Sequence, residues 1–170
     1  MTERLLPEYI DPFRYAEQAL RLRGEVKLTA MPRLQAMVRS NDSRVVVELQ
    51  FGVDEQKIPF VKGKMQTTLQ LQCQRCMDPY QYEIITGFAL GIVTSDDEAG
   101  NLPSHYEPVL TKEGQLALRE LVEEELILNL PIIPKHDPKD CKLTIPVGLE
   151  QETEKMANPF HVLESLKRKD

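Results

Sequence analysis

The chain has no tryptophan, and only five tyrosines and five phenylalanines among its 170 residues. A core built from it must be mainly aliphatic. Cysteine is scarce too: Cys73, Cys76 and Cys141 are the only three. An odd, low count does not suit the disulfide framework of a small secreted protein. No apolar run approaches the roughly 20 residues that span a bilayer. The first residues, Met1 to Tyr9, lack the basic start and apolar centre of a secretory signal. The expectation is a cytoplasmic protein with no membrane partner. The eight glycines are scattered. There is no Walker lysine loop, no dinucleotide-binding turn, no HExxH and no GxSxG. These absences exclude the common nucleotide-binding, zinc-protease and serine-hydrolase machineries. The chain shows none of these catalytic motifs, and no small-molecule substrate is expected.

What charge there is divides unevenly. The net value is −6, yet residues 1–76 carry 12 Lys/Arg against 9 Asp/Glu, while residues 77–170 carry 9 against 18. An acidic whole argues against indiscriminate binding to nucleic acid. It leaves room for a local basic face. The candidates for RNA phosphates are Arg14, Arg21, Arg23, Lys62 and Lys64, with Lys167 and Arg168 near the C-terminus.

The length fits one domain. The pattern predicts an α+β fold over residues 1–147, with an N-terminal helical arm over 1–24. A linker and a short amphipathic helix, carrying Phe160, Leu163 and Leu166 on one face, follow over 148–170. In the arm, Asp11 caps and Pro12 opens a helix that Gly24 closes. Residues 25–92 read as strands: 25–30, 34–39, 44–53 with Val45, Val47, Leu49 and Phe51 on one face, a short edge piece at 58–61 broken by Pro59, and 65–73. Tyr80 to Val93 returns as a strand, with a slip near Gly87, and 105–110 adds a short one. Together they predict a mainly antiparallel, curved sheet that can close like a barrel. Residues 115–130 are the long packing helix, with Leu118, Leu121, Val122, Leu126 and Leu128 on one side. Leu130 to Pro134 is stiff and apolar and should lie against the body.

Cys73 and Cys76 fall at the tip of the 65–93 hairpin. With His136 and Cys141 they form a Cys3His set, the kind of soft and borderline donors that zinc takes in a tetrahedron. Two other readings stand beside it: a cluster of reduced thiols packed as small hydrophobes, and a redox CxxC. A redox motif should open a helix in a βαβ unit, and this one ends a strand. A four-ligand site is closed, hence structural. Within the helix, Glu125 falls among leucines, whereas Glu123 and Glu124 point away. A carboxylate there needs a partner, and Arg75, between the two cysteines, is the candidate for a structural ion pair with Glu125.

Three ordered motifs carry a resemblance. They are Leu71-Gln-Cys73-Gln-Arg-Cys76, the run from Leu121 through Pro131 to His136 followed by Cys141, and the closing stretch from Asn158 to Lys167. Pro12-Phe13-Arg14 and Tyr106-Glu107-Pro108 also fit. On these residues the sequence resembles the YceD family, described as large ribosomal RNA subunit accumulation proteins. The resemblance implies a non-enzymatic role in making or maturing large-subunit (23S) rRNA, with rRNA or a pre-ribosomal particle, or ribosomal proteins, as partners. The rival expectation is a protein adaptor in ribosome assembly that never touches RNA.

Overall fold

The computed structural model describes residues 6–40 and 42–141. The strands are β1 (Tyr9–Ile10), β2 (Arg21–Lys27), β3 (Arg44–Val53), β4 (Pro59–Gln72), β5 (Pro79–Val93), β6 (Glu107–Leu110) and β7 (Leu116–Ala117). The α-helices are α1 (Pro12–Glu17), α2 (Pro32–Met37), α3 (Asp96–Ala99) and α4 (Leu118–Leu128). One sheet runs in the order β2-β3-β4-β5-β6, and β1 pairs with β7 in a second, two-stranded sheet. All pairings are antiparallel except β5 with β6. The α+β class is as expected. The sheet does not close into a barrel: β2 and β6 are its two edges.

Alternation builds the core. Val45, Val47, Leu49 and Phe51 of β3 are buried, as are Val61, Met65, Leu69 and Leu71 of β4. Tyr15 of α1 meets Phe51 edge-on, with ring centroids 5.3 Å apart. Leu28, Met31, Leu34, Leu118, Val122 and Leu126 complete the same cluster. The opposite sheet face alternates outward in polar residues.

Several sequence-based expectations change here. The N-terminal helix stops at Glu17, and Arg21 to Lys27, Gly24 included, is strand β2, paired residue for residue with β3. Residues 34–39 are not a strand: Pro32 opens helix α2. The pieces at 58–61 and 65–73 are one 14-residue strand at the centre of the sheet. Pro59 is tolerated because it is the first residue of that strand. There is no slip at Gly87; β4 and β5 pair without interruption from Gln72↔Pro79 to Phe60↔Gly91. Leu130 and Pro134 touch the body, but Ile132 and Ile133 turn outward, Ile132 at 96% exposure. The expected helix in 148–170 lies outside the described residues, as do Lys167 and Arg168.

Candidate metal centre and basic sheet face

The β4–β5 hairpin ends in a tight knuckle. Cys73 N–H donates to Asp78 O (2.9 Å) and Met77 N–H to Cys73 O (2.9 Å). Met77 takes φ 65°, a left-handed conformation that an L residue enters at a cost of about 1–2 kcal/mol. This turn aims Cys73 and Cys76 at the segment that leaves α4. That segment is held in place by Gln74 N–H donating to Pro134 O (2.8 Å). The His136 ring packs on Tyr80, with centroids 5.1 Å apart. Tyr80 was missed in the sequence, although it lies four positions after Cys76 and alternates with Tyr82.

The ligand atoms of Cys73, Cys76, His136 and Cys141 all lie within 4.8 Å of one another. Cys76 Sγ and His136 Nδ1 are 3.3 Å apart. Around a tetrahedral zinc with bonds of about 2.0–2.3 Å, neighbouring ligand atoms sit roughly 3.5–3.8 Å apart. The cluster is therefore of the right size and donor type, and the three cysteines form no disulfide. The CxxC lies in a hairpin turn and opens no helix, as a redox motif would.

Electrostatics single out one sulfur. Burial pushes the Cys73 thiol up, but N–H groups of Cys76, His136 and Arg75 directed at it bring it down to about 5. Cys76 is raised, first by burial and then by bonding to the other two sulfurs. His136 is raised, first by its hydrogen bond to Cys73.

Arg75 does not pair with Glu125. Its Nε donates to Cys141 Sγ at 2.9 Å. Glu125 is half-buried, and its carboxyl is raised by burial and by the nearby Glu107 and Glu124. The carboxylate that is truly inside is Glu123, at 6% exposure. Its Oε1 accepts from Arg33 N (2.6 Å) and Leu34 N (3.0 Å), the first free N–H groups of α2. It thus replaces the side-chain cap that Met31 cannot supply.

A second feature lies on the outer sheet face. Arg21 and Arg23 of β2 and Lys62 and Lys64 of β4 are all exposed and line one trough of about 720 Å³. Glu48 and Gln50 of β3 lie between them, and Gly87, Phe88 and Ala89 of β5 form one side. The register brings these together: Arg21 pairs with Gln50 and Gln50 with Lys62, Arg23 with Glu48 and Glu48 with Lys64. Glu48 holds Arg23 at 3.2 Å. Lys62 Nζ sits 4.9 Å over the Phe60 ring. Arg14 is exposed on α1, whose Tyr15 packs on the core side, and it does not line the trough. His105 packs beside Tyr106, with ring centroids 4.2 Å apart.

Fold and site together define a sheet-and-helix domain with a Cys3His knuckle. The chain belongs to the YceD family: the profile described as "Large ribosomal RNA subunit accumulation protein YceD" matches residues 61–167. A protein of that description from Haemophilus influenzae is 37% identical over 169 residues, covering 96% of this chain and 97% of the relative. No solved structure matches. Among the described residues, no helix is long and apolar enough to cross a membrane.

Proposed function

We propose that this protein is a non-enzymatic, cytoplasmic ribosome-biogenesis factor that promotes accumulation of large-subunit (23S) rRNA by binding rRNA or a precursor particle. The observation that carries this reading is the convergence of Arg21, Arg23, Lys62 and Lys64 on one open face. Cations two apart on β2 and on β4, with β3 between them, offer rows of charge to a phosphate backbone. Phe88 belongs to the lining beside the four cations, and the cations favour contact with phosphates. Arg14, Lys167 and Arg168 would extend the basic surface. Binding of purified protein to large-subunit rRNA across a salt series tests this. Four phosphate contacts give a slope of about −3 in log K against log salt. A salt-independent interaction would remove the trough from the account.

The Cys3His cluster is read as a structural zinc site. A closed set of four ligands leaves no position for a catalytic water. Its work is to fasten the hairpin tip to the segment after α4. The protein-adaptor reading keeps one observation in its favour: Leu128, Ile132 and Ile133 are exposed at the end of an acidic helix. It predicts co-purifying ribosomal proteins and no direct RNA crosslink.

A further inference from the structure

Three thiolates and a neutral imidazole around a divalent ion carry one net negative charge. In a half-buried site that charge needs a counter-charge close by. The residue between the two knuckle cysteines supplies one. Arg75 approaches the cluster three ways. Its backbone N–H lies 3.4 Å from Cys73 Sγ. Its Nε donates to Cys141 Sγ at 2.9 Å. Its Nη2 is buried and has no hydrogen-bond partner. A guanidinium nitrogen that gives up water and gains no other acceptor is uncommon unless an anionic centre compensates it. Among the described residues, no carboxylate forms a salt bridge with Arg75, and the only side chain it donates to is a cysteine.

We infer that Arg75 is the built-in counter-cation of the metal centre, a positioning residue that neutralises the loaded Cys3His site and ties its two ligand segments together. This rests on the zinc reading above. The side chain belongs to the 73–76 knuckle, and the sulfur it holds belongs to the 136–141 segment. Arg75 therefore draws Cys141 toward the other three donors. Lysine keeps the charge but lacks the planar fork that reaches Cys141 through Nε.

The test uses the full chain, with zinc affinity measured by competition against a chromophoric chelator. Arg75→Gln should bind zinc 10–100-fold more weakly, about the usual effect of losing an outer-shell partner. Arg75→Lys should recover part of that loss, and Gln74→Ala, in the same turn, should bind like the wild type. Cobalt(II) in Arg75→Gln should keep the thiolate-to-metal absorption of three cysteines, which shows the ligands still in place. Wild-type protein that takes up one zinc, with Arg75→Gln holding it equally tightly, overturns the role of Arg75. Arg75→Lys as weak as Arg75→Gln overturns the charge argument. Wild-type protein that takes up no zinc overturns the zinc reading itself, and this inference with it.

Discussion

Glu123 and Glu125 separate what a helical wheel can and cannot see. Spacing alone puts Glu125 on the apolar side of α4 and Glu123 off it. The wheel was right about Leu118, Leu121, Val122 and Leu126 and wrong about Leu128, which is 67% exposed at the helix end. It was blind to α2, which docks on the flank of α4 and buries Glu123 against its own first N–H groups. Glu123→Ala leaves those N–H groups buried and unpaired, and should cost about 2–3 kcal/mol in chemical denaturation. Glu123→Gln keeps an acceptor and should cost about half as much. Glu125 has the opposite balance. Burial, then Glu107 and Glu124, raise its folded pKa. A raised carboxyl favours folding below its unfolded pKa and loses that contribution as pH rises through the folded value. Glu125→Gln should therefore raise Tm at neutral pH, and the gain should vanish as pH falls below the ordinary carboxylate range. Glu125 is only half-buried, so screening keeps the gain within about 1 kcal/mol. A gain that persists in acid would show that ionisation is not its cause.

At the level of elements, the long hairpin, the Asp11 cap and the strand over 44–53 were readable, and residues 21–24 and 32–37 were not. The alternation from Met65 to Cys73 marks a strand, and the knuckle falls where Met77-Asp78-Pro79 predicts a turn. Residues 21–27 and 32–37 misled because short segments carry weak local signals. Register with β3 decides the first, and a cap supplied by a residue 90 positions away decides the second. The expectation splits β4 in two at 58–61, broken by Pro59, and 65–73, and Gly63 lies between the two pieces. Gly63 is a site of close approach: a Cβ there would lie 2.1 Å from Cζ of Phe88 on the paired strand. The ring lies over the glycine and fills the space a side chain would take. Gly63→Ala should cost about 1–3 kcal/mol, as overpacking does. In a Phe88→Ala background the same substitution should cost much less. Equal costs in both backgrounds, measured by a double-mutant cycle, would remove the ring as the reason for the glycine.

For the molecule as a whole, the Cys3His set was legible as residue types and spacing, and the fold brings all four donors together. The basic surface was legible only as a list of cations. Its assembly depends on strand register, which places Arg21 and Arg23 on a strand level with Lys62 and Lys64 across β3, not on a helical arm. Arg14 was in the list and does not line the trough. The knuckle closes the far end of β4 and β5, the same strands that carry Lys62, Lys64, Gly87 and Ala89 at their other end. Metal binding would stiffen the hairpin whose outer face is proposed to meet RNA.

The most direct measurement is crosslinking in living cells, followed by purification of the protein and sequencing of attached RNA. It should be made for the wild type and for a variant carrying Arg21→Glu, Lys62→Glu and Lys64→Glu. These side chains are exposed, so the variant should fold. The account predicts enrichment of large-subunit rRNA or its precursor with the wild type and loss of most of that signal in the variant. Ribosomal proteins co-purifying with no crosslinked RNA, or crosslinks unchanged by the charge reversals, would contradict it.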